Sequence, residues 1–274
     1  MQRLLLLGFL LSAISAFAQT GLDENKYYAE TRTEFIDSKV FNKQRELQIF
    51  LPDEYFKNPN KNFKVLYLFD AQNQRNFNFV SGNVQLLSMN HIEPLIIVGI
   101  GTEDRWYEFL PLNNHEETLQ RYEPPMGAAD SLIKHIEQEV EPYITKKFRT
   151  EDYRLAIGHS LGASFVTYAS IKSKKLFDYN ILISPNYFYD KEQFVDRFKN
   201  FSNSKLSKPK AFYFCIGYGD SYEEKFSPSL EKVIQILKEN KNENINWRYD
   251  KLDIDGHGKT WLEGVYKGLL NWKY

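Results

Sequence analysis

Gly158-His159-Ser160-Leu161-Gly162 has the G-x-S-x-G form of a nucleophile elbow, and it is the stretch of this chain best suited to covalent chemistry. A serine hydroxyl is a weak nucleophile at neutral pH. It needs a histidine to take its proton and a carboxylate to orient that histidine. Tyr153-Arg154-Leu155-Ala156-Ile157 reads as a short buried strand, and residues 163–173 read as a helix. A strand turning sharply into a helix holds a serine strained and exposed. Glycine at both ends of the motif lets neighbouring backbone pass where a Cβ would clash. The motif alone is common by chance; its place between a strand and a helix gives it weight.

The chain has five histidines. Where a sheet carries such an elbow, the acid and then the histidine follow the serine in chain order. His91 and His115 precede it in polar, loop-like stretches. His135 lies on a helical pattern, off its apolar stripe, and His159 is the variable position of the motif, expected to point away from the nucleophile. His257 alone follows Ser160 at a suitable place, in the turn Asp255-Gly256-His257-Gly258. The acid is expected after the apolar run 211–216, where Gly217-Tyr218-Gly219-Asp220 forms a glycine-rich turn. Asp220 is the favoured residue, with Glu223, Glu224, Asp253 and Asp255 as competitors; aspartate is also favoured in turns for its own backbone hydrogen bonds. The developing oxyanion needs two N–H donors. Leu161, at the positive end of a helix, supplies one, and the turn Phe69-Asp70-Ala71-Gln72 is the place for the other.

These residues need a frame. Residues 33–36 and 45–51 look like an antiparallel hairpin, since Leu47, Ile49 and Leu51 alternate with polar neighbours. Residues 65–69, 95–100, 181–183 and 211–216 are continuous apolar runs, the mark of parallel strands buried on both faces. Residues 247–252 complete a count of about eight strands. Between them lie helical stripes: Leu132, Ile136, Val140, Ile144 and Phe148; Leu230, Val233, Ile234 and Leu237; and Leu262, Val265, Tyr266, Leu269 and Leu270. Pro142 falls inside the first and should kink or divide it. Strands alternating with helices predict a mostly parallel sheet covered on both faces.

The 274 residues, 42% of them hydrophobic, suffice for one well-filled domain, expected over residues 28–274. Residues 1–18 read as a secretory signal peptide: Arg3, an apolar run over 4–14, then Ala16-Phe17-Ala18 as the cleavage site. This predicts a periplasmic or secreted protein with no membrane span after cleavage. A net charge of −1 gives no support for a nucleic-acid partner. Cys215 is the only cysteine, so no internal disulfide is possible, and its apolar run makes it a small core residue. No histidine–cysteine set has zinc spacing, no glycine-rich phosphate loop is present, and residues 253–264 carry Gly264 where a calcium loop needs its closing glutamate. No metal or cofactor is called for.

Taken together, these blocks resemble the putative esterase family of α/β-hydrolases, which holds siderophore and feruloyl esterases. The resemblance runs from about residue 45 to 270. Val65-Leu66-Tyr67-Leu68-Phe69-Asp70-Ala71 is similar to the family's VLYLLDG strand and oxyanion turn. Residues 95–100 followed by Asp104-Arg105 and Pro111 match its "PMIVVGI … R … P" block. Residues 127–150 match "GADxF … ELxPYI … YRT", and Ile183-Ser184-Pro185 matches the SPS turn. The family has glycine where Ala71 and Ala163 stand, and tryptophan where Tyr187 stands.

The resemblance implies an α/β-hydrolase fold with an eight-stranded sheet, and an exported serine esterase acting on a small-molecule ester. Ser160, His257 and Asp220 would be its triad, and the N–H groups of Leu161 and Ala71 its oxyanion donors. Trp106, Tyr187 and Phe188, with Tyr107, Phe109 and Tyr189, would wall the substrate site or else pack in the core. A siderophore trilactone is the leading substrate class. A carbohydrate-associated feruloyl or acetyl esterase, an acyltransferase, and a non-catalytic binding protein of the same fold are the alternatives.

Overall fold

The computed structural model describes residues 28–121 and 126–272. The predicted signal peptide lies outside the described residues. In chain order the strands are β1 (Glu30–Ser38), β2 (Lys43–Leu51), β3 (Phe63–Phe69), β4 (Ile96–Ile100), β5 (Thr150–His159), β6 (Tyr179–Ile183), β7 (Lys210–Tyr218) and β8 (Ile245–Asp255). The helices are α1 (Asp53–Lys57), α2 (Gln74–Leu87), α3 (Arg105–Phe109), α4 (Glu116–Arg121), α5 (Ala129–His135), α6 (Glu141–Lys147), α7 (Leu161–Lys172), α8 (Gln193–Ser202), α9 (Ser221–Glu239) and α10 (Thr260–Leu270). No helix among the described residues is long and apolar enough to cross a membrane.

The eight strands form one sheet in the order β1-β2-β4-β3-β5-β6-β7-β8. β1 and β2 pair antiparallel, and β2 runs antiparallel to β4. From β4 to β8 every pairing is parallel. The sheet is therefore mixed, as the leading hairpin requires, around a parallel centre. The continuous apolar runs are buried throughout β3, β4 and β6 except for Lys64. One core lies on each face of the sheet. An α/β-hydrolase fold places all parallel strand ends, and the loops that follow them, on one edge, and that edge carries the site.

One helical stripe is divided, as its proline predicts, and another is rotated from its sequence reading. Pro142 ends the first part of its stripe and does not kink a single helix. The chain makes a π segment at Ile136–Val140 and restarts as α6 with Pro142 in its first turn. A proline has no N–H for the carbonyl four residues back and its ring crowds that carbonyl, so widening the preceding turn relieves the clash. In α10 the buried stripe is Trp261, Val265 and Leu269, while Leu262 and Tyr266 are exposed. Gly264 and Gly268 set this rotation. A Cβ at Gly264 would lie 2.8 Å from Ile183 and one at Gly268 2.4 Å from Ile181, so α10 sits closer to β6 than side chains would allow.

The carboxylate of Glu139 ties the hairpin to the helical layer. Glu139, in the π segment, accepts from Ser38 Oγ at 2.6 Å, from the N–H groups of Lys39 and Val40, and pairs with His135 Nδ1 at 2.5 Å. Burial pushes this carboxyl up, but the bonds from Ser38, His135 and the two amides outweigh burial and bring it to about 2. A depressed carboxyl pKa is stability present above the ordinary value of 4.5 and lost as pH falls toward about 2. Glu139→Gln should therefore lower Tm at pH 7 by roughly 3–8 °C. In thermal melts the gap to the wild type should narrow as pH falls through that window; a gap independent of pH would show that the charge is not what matters.

Candidate active site

Ser160 connects β5 to α7 with φ +57° and ψ −119°, backbone angles that no ordinary strand or helix uses. Three contacts hold it there. Its N–H donates to Ile183 O at 2.9 Å, drawing the turn onto the end of β6. A Cβ at Gly158 would lie 2.4 Å from the carbonyl of Gly162, so only glycine lets the strand and the helix approach. A Cβ at Gly162 would lie 2.9 Å from Asp70 Oδ2. Gly158 is therefore required by backbone, whereas a side chain at Gly162 would have to displace the Asp70 carboxylate. Because α7 begins at Leu161, the Leu161 N–H has no carbonyl one turn behind it, and the positive end of the helix surrounds it.

His257 stands on the loop between β8 and α10. Its Nδ1 faces Glu223 Oε1 at 2.5 Å. A carboxylate only accepts, so Nδ1 carries the proton and Nε2 keeps a free lone pair. Glu223 is fully buried and also accepts from Gly217 N–H at 2.7 Å and Ser184 Oγ at 3.0 Å. The ring is clamped on both sides, by His159 at 4.4 Å and by Tyr222 and Phe226 at 5.3 and 5.4 Å. No hydrogen bond joins Ser160 Oγ to His257 among the described residues; catalytic bonds of this kind often tighten only when substrate arrives.

Asp220 does something else. It caps α9, its Oδ1 accepting from the N–H groups of Tyr222 and Glu223 at 2.9 and 3.0 Å. Its Oδ2 accepts the backbone N–H of His257, not the ring. Burial pushes its carboxyl up, but the amides of Glu223, His257 and Tyr222 more than compensate and hold it below the usual carboxylate range. The carboxylate that faces the His257 ring is Glu223, one helical turn after Asp220. The pattern Asp220-x-x-Glu223 was the available signal: it has the form of a capping box, and a capping aspartate is already spent on backbone. Glu224, Asp253 and Asp255 make no contact with the ring among the described residues.

Two further expectations change. The Ala71 N–H donates to Ile100 O at 3.2 Å, so it is already used by the β4 end. Tyr187 is fully buried, bonded to Thr167 Oγ1 at 2.7 Å and stacked on Phe194 at 4.3 Å, so it packs in the core beneath the site. Tyr189 and Phe109 are buried as well, whereas Trp106 and Tyr107 are exposed and Phe188 is half-buried. The apolar spacing of 187–189 is the same for a wall and a core, so sequence could not separate them.

His159 does not simply point away. Its Nε2 donates to the His257 carbonyl at 2.9 Å, and Thr260 Oγ1, itself bonded to that carbonyl at 2.7 Å, lies 3.3 Å from the same nitrogen. Burial and the neighbouring His257 bring its pKa down to about 3, so it remains a neutral donor. Thr260 Oγ1 also lies 2.9 Å from Ser184 Oγ, whose one hydrogen goes to Glu223, so polar contacts run from Glu223 through two hydroxyls to both histidines. On the other flank Arg105 pairs with Asp70 through Nε and Nη2 at 2.5 and 2.9 Å. The helix carrying Arg105 is anchored by the buried pair Arg45–Glu108. Among the described residues no cluster of histidine, cysteine or carboxylate could hold a metal ion.

The family model described as "Putative esterase" matches residues 38–254. The chain belongs to this family. It is an esterase, acting on carboxylic ester bonds. A curated relative, the ferri-bacillibactin esterase BesA of Bacillus subtilis (strain 168), is 21% identical over 235 residues, covering 79% of this chain and 81% of its own. The crystal structure of an IroE-like serine hydrolase from Shewanella oneidensis superposes with a TM-score of 0.78 at 21% identity, covering 88% of this esterase and 79% of that chain. The BES protein from Bacillus cereus gives 0.76 at 20% identity, covering 88% and 93%.

The cap predicts a separable role for Asp220. Asp220→Ala should lower the esterase's stability by about 1–2 kcal/mol, the value of a lost N-cap, in chemical denaturation. Glu223→Gln should leave the helix start intact. Equal destabilisation by both would contradict this division of labour.

Proposed function

We propose that this chain is an exported serine esterase in which Ser160 is the nucleophile, His257 the general base and Glu223 the orienting acid. The observation that carries the reading is the His257 Nδ1–Glu223 Oε1 contact beside a strained elbow. Ser160 Oγ attacks the ester carbonyl carbon as His257 Nε2 takes its proton. The imidazolium so formed is stabilised by Glu223, whose two other polar contacts, from Gly217 N–H and Ser184 Oγ, fix its position. The tetrahedral oxyanion would be bound by the Leu161 N–H and by the N–H of Gln72, the next amide along the turn from the occupied Ala71. The Gln72 side chain bridges Asp70 Oδ1 and Thr102 N–H, each at 3.1 Å, which makes that turn rigid. Collapse of the intermediate breaks the bond to the alkoxy oxygen, and His257 returns the proton to the leaving alcohol. Water, deprotonated by His257 in turn, attacks the acyl-enzyme and releases the acid and free Ser160.

A siderophore ester is the favoured substrate class, supported by a relative named for ferri-bacillibactin and by the fold shared with an IroE-like hydrolase. A feruloyl-type ester is the second reading, supported by a ferulic acid esterase that superposes with a TM-score of 0.63. Residues 1–18, read as a leader, support action outside the cytoplasm.

A fluorophosphonate probe should label the wild type and leave Ser160→Ala unlabelled; labelling of both would overturn the nucleophile assignment. Glu223→Gln should reduce kcat on the order of 10³–10⁴-fold with the fold retained by circular dichroism, and Asp220→Asn less than tenfold. The reverse ranking would return the acid to Asp220. Comparing hydrolysis of a triscatecholate lactone with that of a feruloyl sugar ester divides the two substrate readings.

A further inference from the structure

The sheet ends at β8, which is hydrogen-bonded to β7 on one side and, among the described residues, to no strand on the other. At 11 residues it is the longest of the eight strands. Its pairing with β7 tells which backbone groups face the open side. Lys210 N–H donates to Asn244 O at 2.8 Å, and beyond a register shift Gly256 N–H donates to Tyr218 O at 2.9 Å. Even-numbered residues thus turn their N–H and C=O toward β7. These groups alternate sides along a strand, so those of Trp247, Tyr249 and Lys251 face outward. A row of unanswered donors and acceptors is a template for a further strand. The usual guards of such an edge are weak. β8 holds no proline, the register shift starts only after Lys251, and the Lys251 charge is met by Glu231 at 2.7 Å.

Charge decides which strand fits. A second β8 running antiparallel, related by a two-fold axis normal to the sheet, keeps every side chain on its own face. Residues of the same parity then stand opposite one another. An axis through Arg248, Asp250 or Lys251 would set like charges face to face, which is unfavourable. An axis through Tyr249 sets Arg248 opposite the second copy's Asp250 on one face, twice by symmetry. On the other face it sets Trp247 opposite the second copy's Lys251, a cation beside an indole. Tyr249 also faces outward, so its own N–H and C=O close the central hydrogen-bonded pair. The Arg248 side chain is 59% exposed, and its Nε and Nη1 meet Asp250 and Asn271 at 3.2 and 2.6 Å, which leaves Nη2 for the second copy. We propose that β8 is a dimerisation edge, on which two copies of this chain pair antiparallel about Tyr249 and join their sheets. Antiparallel pairing sets the two elbows at opposite ends of the joined sheet, so the dimer is independent of the serine-esterase reading.

Sedimentation equilibrium of the full chain at micromolar concentration should give twice the mass of one chain. Arg248→Asp would oppose two acids across the axis, and Asp250→Arg two bases. Each variant alone should dissociate at least about tenfold more readily, and an equimolar mixture of the two should regain the dimer, because every cross-strand pair then joins an acid to a base. A monomeric wild type, or variants that dimerise alone as well as mixed, overturns the proposal, and so does a mixture of folded variants that stays monomeric. Asp250 also accepts from Tyr213 Oη at 3.0 Å, so Asp250→Arg can fail to fold. Lys251→Pro then gives an independent reading. The Lys251 N–H faces the open side, so proline spares the β7 ladder and removes two bonds of the dimer by symmetry. Circular dichroism should be unchanged and the variant monomeric; a folded variant that remains dimeric overturns the β8 edge.

Discussion

The close approach of β5 to α7 at Gly158 and Gly162 is the constraint on which the site depends. With no Cβ on either residue the backbone can reverse through φ +57° at Ser160. That reversal starts a helix immediately beyond Ser160, which brings the first amide of the helix and its positive end to the same point. It also leaves room for Asp70 Oδ2, 2.9 Å from where a Cβ of Gly162 would be, and so for the Asp70–Arg105 pair that defines one flank. Strain of this kind costs on the order of 1–3 kcal/mol and persists only where the surroundings enforce it. Here the bond from Ser160 N–H to Ile183 O and the burial of nearly all of α7 enforce it.

The opposite flank is organised around charge. A buried glutamate is costly unless fully hydrogen-bonded. Glu223 meets that condition with an amide, a hydroxyl and an imidazole, drawn from the end of β7, the turn after β6 and the loop after β8. Gly217 is required there too, since a Cβ would lie 2.7 Å from Ile254 O. The same carboxylate thus fixes three loops and sets the tautomer of His257. Asp220, by contrast, works on the backbone, holding the helix start and the His257 main chain together.

The residues that were hardest to read from sequence are those whose partners come from distant strands. His159 occupies the variable position of the elbow, and nothing in its neighbours in the chain indicates that it meets the His257 carbonyl. The β5–β6–β7–β8 order makes that meeting, by setting the ends of β5 and β8 on one edge of the sheet.

The amino-acid sequence by itself determined the elbow, the histidine that follows it, the parallel runs of a buried sheet and the family. Each of these is a local pattern: glycine spacing, apolar period and chain order act within a few residues. Which of Asp220, Glu223 and Glu224 touches the His257 ring, the spent amide of Ala71 and the burial of Tyr187 were decided by tertiary structure alone. Which carboxylate faces an imidazole depends on helix phase and on the approach of a strand dozens of residues away, and no local pattern carries that distance.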